Sequence, residues 1–207
     1  MSAPQPAPVI EFLFDFGSPN AYLAHQVLPA IAARSDATIK LIPCLLGGIF
    51  KLTGNQAPFT AFGHIKGKLA YEQLELQRFV AEHGLSRYAH NPHFPLNTLL
   101  IMRGLIAAQR AGVAEPYLAA VLSAMWEQGR KLDKPAVVLE VLDTAGLDGR
   151  GLIEATQDPA VKAELVANTE AAAARGVFGI PTFFVGDEMF FGKERLGQLE
   201  QYLAARA

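Results

Sequence analysis

The sequence has little of several features that define large classes of proteins. Of its 207 residues only one, Cys44, is a cysteine. A single cysteine cannot form an internal disulfide and cannot perform dithiol exchange, so we expect a reducing cytoplasm as its setting. Cys44 ends a predicted strand, where a cysteine usually serves as a small buried apolar side chain.

The sequence also has little net charge and no long apolar run. The formal net charge is −2 and no Lys/Arg cluster stands out, which argues against nucleic-acid binding. No apolar run is long enough to span a bilayer, and Met1–Pro8 lacks the positive start and apolar stretch of a signal peptide, so we interpret it as a flexible tail. The sequence has no H-E-x-x-H, no paired Cys/His spacing and no glycine-rich phosphate loop after a strand, and therefore predicts neither a metal site nor nucleotide binding.

The most informative stretch is Ile10–Tyr22, which reads I-E-F-L-F-D-F-G-S-P-N-A-Y. A Phe-rich apolar run stops at Gly17, and Ser18-Pro19 then opens an amphipathic helical pattern. Serine is a favoured helix cap and proline suits the first helical position. The stretch predicts a strand, a tight turn and a helix N-terminus, where unpaired N–H groups and the helix dipole stabilise a thiolate or another anion. The alternative is that Ser18 only caps the helix.

The predicted strands and helices, taken in order along the chain, indicate an α/β fold. Strands over Val9–Phe16 and Thr38–Leu45 flank a helix over Pro19–Arg34, a spacing typical of parallel strands with a right-handed crossover. Gly186-Asp187 suits a primed hairpin turn between two later strands. The remaining pattern predicts helices over Leu69–His83, Asn97–Ala111, Glu115–Lys131, Pro135–Ala145 and Asp158–Arg175, strands over Thr182–Val185 and Met189–Phe191, and a helix over Lys193–Ala205. This order is that of a thioredoxin-like domain (9–68 and 158–207) with an all-helical insertion domain (69–157).

Leu46–Lys68 is the one long stretch without a lasting period. Glycine, proline, asparagine and threonine dominate it, which indicates a loop. A loop of this length in a compact domain is usually functional or mobile. The alternative is a surface loop with solvated lysines and a few anchoring aromatic side chains.

Three stretches together resemble the 2-hydroxychromene-2-carboxylate isomerases and the related kappa-class glutathione transferases, which belong to the DsbA-like branch of the thioredoxin fold. They are F-D-F-G-S-P-N-A-Y (Phe14–Tyr22), G-G-I-F-K-L-T-G-N (Gly47–Asn55) and R-G-V-F-G-I-P-T-F-F-V-G-D-E-M-F-F-G-K-E-R-L (Arg175–Leu196). The likeness covers nearly the whole chain beyond the tail, and the third stretch is the most specific.

The resemblance implies glutathione as the cofactor. Disulfide-exchanging relatives carry C-x-x-C where this chain has Ser18-Pro19-Asn20-Ala21, so the sulfur would come from glutathione and the Ser18 hydroxyl would donate to its thiolate. Ile180-Pro181 matches the cis-proline loop, whose free backbone N–H and C=O groups would pair with the cysteinyl part. The other residues that the resemblance assigns to glutathione are Asn55, Lys66 (with Lys68 as a possible substitute), Phe191, Gly192, Lys193 and Glu194, of which Glu194 would hold the γ-glutamyl ammonium.

The substrate implied by the resemblance is an aromatic enol-keto carboxylate. It would lie beside Ser18 in a site made of Phe50, Phe59, Phe62 and Lys51, the last of these for the carboxylate. The reaction would be a glutathione-dependent cis–trans isomerisation. The alternatives are a kappa-like transferase that releases a glutathione adduct and a non-catalytic binding protein that keeps the fold. Relatives of this kind are often dimers, so a homodimer is possible.

Overall fold

A computed structural model describes residues 7–206 of the chain. Its centre is a four-stranded mixed sheet with the order β2-β1-β3-β4. The strands are β1 (Val9–Phe14), β2 (Thr38–Pro43), β3 (Thr182–Val185) and β4 (Glu188–Phe191). The helices are α1 (Pro19–Arg34), α2 (Leu46–Thr53), α3 (Pro58–Phe62), α4 (Lys68–Glu82), α5 (Leu99–Arg110), α6 (Ala114–Trp126), α7 (Pro135–Thr144), α8 (Gly149–Ala155), α9 (Pro159–Ala174) and α10 (Leu196–Ala204), with a 3-10 turn at Lys193–Arg195.

The first strand lies between two others in the sheet. β1 pairs parallel with β2, with Phe12 opposite Leu41, and antiparallel with β3, with Phe12 opposite Phe183. The rings of Phe12 and Phe183 stack with their centroids 4.9 Å apart, and both side chains are buried. Offset-stacked aromatic pairs of this kind stabilise a core beyond the area they bury. This central pairing holds the carboxyl end of β1 and the start of β3 side by side.

The predicted hairpin between the last two strands is confirmed. β3 pairs antiparallel with β4, and Val185 lies opposite Glu188, which leaves two residues in the connection. The first of them, Gly186, has φ of +61°. A positive φ at the first central residue is characteristic of a primed turn, in which glycine is favoured.

The prediction of a loop over Leu46–Lys68 is wrong, because the stretch contains α2 and α3. α2 packs against α9 and buries Ile49, and it ends at Gly54 in the left-handed conformation. Tertiary packing of this kind outweighs the low helix propensity of Gly47 and Gly48. The short helix α8 was also not predicted.

Two smaller differences concern the ends of predicted elements. The helix predicted over Glu115–Lys131 ends at Trp126, five residues earlier. Pro8, which the sequence assigns to the tail, accepts a hydrogen bond from the Thr38 N–H at 2.9 Å. The rest of that predicted tail, residues 1–6, lies outside the described residues. Within residues 7–206 no helix combines the length and the apolar character that crossing a membrane requires.

Candidate active site

Ser18 lies at the start of α1, beyond the carboxyl end of β1. Its Oγ accepts from the Ala21 N–H at 3.2 Å, the side-chain cap that the sequence predicts. The same hydroxyl donates to the Ile180 carbonyl oxygen at 2.9 Å, and Ser18 is only 4% exposed. The serine is therefore a cap and also the link between the first helix and the loop before β3.

That loop brings three predicted site segments together. The Ile180–Pro181 peptide bond is cis. The Pro181 carbonyl accepts from the Gly192 N–H at 2.9 Å, and the carbonyl of Phe178 accepts from the Asn55 side-chain amide at 2.7 Å. Together with the Ser18 contact, these bonds attach the start of α1, the segment after α2 and the segment after β4 to one short loop.

The expectation that the Ile180 carbonyl is free is wrong. Ser18 is buried, and a buried hydroxyl takes an available acceptor, which in this structure is Ile180. A hydroxyl has only one proton to donate. Any ligand group that is to receive the Ser18 hydrogen bond must therefore replace Ile180 as its acceptor.

Phe191-Gly192-Lys193-Glu194 is the second predicted site segment, and it follows β4. The Lys193 side chain is 3% exposed; it forms an ion pair with Glu194, which is half exposed, and its Nζ lies 5.2 Å from the centre of the Phe79 ring. Gly192 has φ of +90°, which other residues rarely adopt. A buried cation beside a half-exposed carboxylate offers a partner for each charge of an amino-acid zwitterion.

The predicted aromatic wall lies on α2 and α3. Phe50 is half-buried and Lys51 is exposed on α2, whereas Phe59 and Phe62 are exposed on α3. Phe59 meets the ring of Phe94 edge-on with centroids 6.3 Å apart. The role of Phe59 and Phe62 in a substrate site stays a prediction.

The two candidate lysines differ in their surroundings. Lys68 forms an ion pair with Glu72 at 3.1 Å, and its Nζ lies 5.2 Å from the centre of the Phe62 ring. Lys66 is exposed between α3 and α4, and in the described part of the chain it forms no ion pair. The ammonium group of Lys66 is therefore more accessible to a ligand than that of Lys68, which already has an ion-pair partner.

Asp15 was not predicted as a site residue, but it lies between the Ser18 turn and the start of α2. Its carboxylate accepts from the Gly17 N–H at 2.8 Å and from the Leu46 N–H at 2.7 Å, and it is 1% exposed. Burial raises the pKa of Asp15, although these two N–H groups and the Thr98 hydroxyl act in the opposite direction. The available signal was an acidic residue between Phe14 and Phe16, directly after the first strand.

Cys44 lies near the site but is not available for chemistry. It is fully buried, and its Sγ lies 3.6 Å from the Asn168 carbonyl oxygen. Burial, and secondarily the charge of Asp15, raise the pKa of Cys44 to about 12. Since the thiolate is the reactive form, this thiol is inert at neutral pH.

Comparisons with known proteins show which family the chain resembles over nearly its whole length. A model of the DSBA-like thioredoxin domain matches residues 9–204. The 2-hydroxychromene-2-carboxylate isomerase of Pseudomonas putida is 31% identical over 194 residues, which cover 93% of this chain and 92% of that protein. Glutathione S-transferase kappa 1 of Rattus norvegicus is 27% identical over 213 residues, covering 97% and 93%. A solved structure of a 2-hydroxychromene-2-carboxylate isomerase superimposes with a TM-score of 0.81 at 29% identity, covering 95% of both chains.

Proposed function

Because this chain belongs to the DSBA-like thioredoxin domain family and, within it, to the 2-hydroxychromene-2-carboxylate isomerases, we propose that it is a glutathione-dependent cis–trans isomerase. Its substrate would be 2-hydroxychromene-2-carboxylate or a similar aromatic enol-keto acid, and its product trans-o-hydroxybenzylidenepyruvate or the corresponding trans acid. The observation that carries the proposal is Ser18, a buried hydroxyl at a helix N-terminus where disulfide-exchanging relatives have a cysteine. Since Cys44 is inert, a reactive sulfur must come from a ligand.

The donor set around Ser18 fits glutathione. The backbone of Ile180 suits the extended cysteinyl residue. Lys193 and Glu194 offer opposite charges to the carboxylate and ammonium of the γ-glutamyl end. Asn55, fixed on the Phe178 carbonyl, and the exposed Lys66 complete the set that we assign to the cofactor. When bound, glutathione supplies a thiolate that adds reversibly to the conjugated double bond of the substrate, so that this bond can rotate.

The chain's own contribution is to keep that sulfur ionised. Ser18 donates to Ile180 in the structure. For Ser18 to donate to a bound glutathione sulfur, its hydroxyl would have to turn away from the Ile180 carbonyl, which would then be available to the cysteinyl N–H. A hydrogen bond to a charged group contributes about 1.5–3 kcal/mol, which corresponds to lowering a thiol pKa by about one or two units. The N–H groups and the dipole of α1 act in the same direction.

Phe50, Phe59 and Phe62 remain our candidates for packing against the aromatic ring, with Lys51 for the carboxylate. The chain would hold the substrate beside Ser18 and keep water from the reacting atoms. The cofactor is regenerated in each turnover. Because the reaction needs reduced glutathione, we expect the protein to work in the cytoplasm.

The test is the absorbance of the chromene carboxylate mixed with purified protein, with and without glutathione. We expect a spectral change that needs catalytic glutathione and leaves its concentration constant. The absence of any glutathione-dependent change would overturn the proposal.

The resemblance to a protein named glutathione S-transferase kappa 1 supports a second candidate, a transferase. Net consumption of glutathione with an electrophilic aromatic halide, without isomerisation, would select it.

A homodimer remains part of the proposal, because large apolar side chains are exposed along α2–α4. They are Leu52, Phe59, Phe62, Ile65, Leu69, Tyr71 and Leu74. Several large apolar side chains exposed within one segment of the chain are typical of an interaction surface. Sedimentation equilibrium measures the mass in solution, and a monomer at all concentrations would exclude the dimer.

A further inference from the structure

Asp15 is a buried carboxylate that touches two segments of the candidate site through their backbones. One carboxylate oxygen accepts from the Gly17 N–H at 2.8 Å, in the turn that leads into Ser18. The other accepts from the Leu46 N–H at 2.7 Å, at the first residue of α2. Asp15 is 1% exposed, so water does not compete for these bonds.

The second contact supplies what α2 lacks. Leu45 stands at the N-cap of α2 and offers no side-chain hydrogen bond. The Asp15 carboxylate therefore takes the place of a cap, from a residue that is 31 positions away in the sequence. A negative charge at a helix N-terminus also interacts favourably with the helix dipole. α2 carries Phe50 and Lys51 and leads into Asn55, so the position of three candidate site residues depends on this contact.

We propose that Asp15 is a positioning residue that holds the Ser18 turn and the start of α2 in one fixed arrangement. The expected loss of turnover rests on the proposed function, whereas the expected displacement of the Ser18 turn does not. Asp15 acts through backbone N–H groups and does not contact the reacting atoms. A small misplacement of catalytic groups lowers turnover by about 10–100-fold, even when the change lies away from the chemistry.

The fluorescence of Trp126 can report a displacement of the Ser18 turn. Trp126 is the only tryptophan. Its buried indole N–H donates to the Phe16 carbonyl at 2.9 Å, and Phe16 lies between Asp15 and Gly17. Tryptophan emission therefore responds to a displacement of the turn whether or not the protein has any activity.

The chain also offers a matched control at the same helix start. The Thr169 Oγ1 accepts from the Leu45 N–H at 3.0 Å, next to the N–H that Asp15 holds. Thr169 is buried as well, but among residues 7–206 it forms no hydrogen bond to the Ser18 turn. Thr169→Val removes one acceptor at α2 and leaves the turn intact, whereas Asp15→Asn removes one of the two carboxylate oxygens that together hold α2 and the turn. An amide has one acceptor oxygen and cannot satisfy both N–H groups.

The experiment compares the two variants with the wild type in thermal unfolding, tryptophan emission and glutathione-dependent turnover. We expect similar losses of Tm. Asp15→Asn alone should change the emission of Trp126 and lower kcat about 10–100-fold, with the KM for substrate changed less. Thr169→Val should stay within about twofold of the wild type in kcat, which is the usual effect of a substitution outside the catalytic arrangement.

Two results would overturn the proposal: wild-type emission and kcat in Asp15→Asn, or equal losses of kcat in both variants, which would mean that Asp15 only stabilises the fold. If the wild type itself shows no glutathione-dependent turnover, the proposed function fails, while the emission comparison still decides whether Asp15 holds the turn.

If Asp15→Asn does not fold, Leu46→Pro removes the α2 donor. Proline suits this first helical position after the extended Leu45, and Leu46→Ala is its control. Leu46→Pro should lower kcat more than Leu46→Ala, and equal values would contradict the proposal.

Discussion

Replacing Ser18 with alanine tests both roles of the hydroxyl. Alanine cannot accept from the Ala21 N–H, and loss of a helix cap costs about 1 kcal/mol. It also leaves the Ile180 carbonyl without its donor, and a typical hydrogen bond contributes about 0.5–1.5 kcal/mol. We expect Ser18→Ala to lower the free energy of unfolding by about 1–3 kcal/mol, measured by urea denaturation.

The kinetic effect should depend on pH in a specific way. A glutathione thiol with a pKa near 7 is about half ionised at pH 7, whereas one with an ordinary pKa of about 8.5 is only about 3% ionised. Ser18→Ala should therefore lose at least about tenfold in kcat at neutral pH. The loss should shrink as the pH rises above about 8.5, because the free thiol then ionises without help.

A second helix cap provides the control. Asp158 caps α9 and accepts from the Ala160 N–H at 2.7 Å. Asp158→Ala should lose a similar amount of stability, about 0.5–2 kcal/mol, without a change in kcat. Our reasoning would be refuted by an unchanged kcat in Ser18→Ala at neutral pH, or by a loss that stays the same up to high pH.

Three further predictions follow from other parts of the chain. Cys44 should resist alkylation in the folded protein and react after urea unfolding, as mass spectrometry would show, because burial raises its pKa to about 12. Lys193→Met should change stability little, since the carboxylate that loses its partner, Glu194, is half exposed and is solvated by water, but calorimetry should show weaker glutathione binding, because the γ-glutamyl carboxylate then has no cation beside it. The pKa of Glu11 is lowered, because its bonds to Arg175 and Lys40 outweigh the opposing effect of burial. The stability advantage of the wild type over Arg175→Met should therefore be present above the ordinary pKa of 4.5 and disappear as the pH falls through the lowered value in urea unfolding experiments.

The predictability of each element from the sequence depends on how local its causes are. α1 was predicted to the residue because its signals, Ser18 at the cap and Pro19 at the first helical position, lie within it. β3 was predicted equally well from its apolar run. α2 was missed because what holds it, packing on α9 and the carboxylate of Asp15, comes from distant parts of the chain.

The same distinction between local and long-range causes applies to the candidate site. The resemblance pointed to Ser18, Asn55 and the Ile180–Pro181 loop, and the structure joins them by hydrogen bonds. The sequence could not show that the Ile180 carbonyl is taken by Ser18, because that bond spans 162 positions and depends on the burial of both groups. For the same reason the central position of Asp15 emerged only from the three-dimensional arrangement.

The most direct test of the account is the ionisation of the sulfur of glutathione in the complex. The ultraviolet absorbance of the thiolate, followed as the pH is raised with protein in excess, gives the pKa of the bound thiol. We predict a value about one or two units below the ordinary 8.5 with the wild type, and a return towards 8.5 with Ser18→Ala. A bound thiol that titrates at its ordinary pKa in the wild type, or no binding of glutathione at all, would contradict the account.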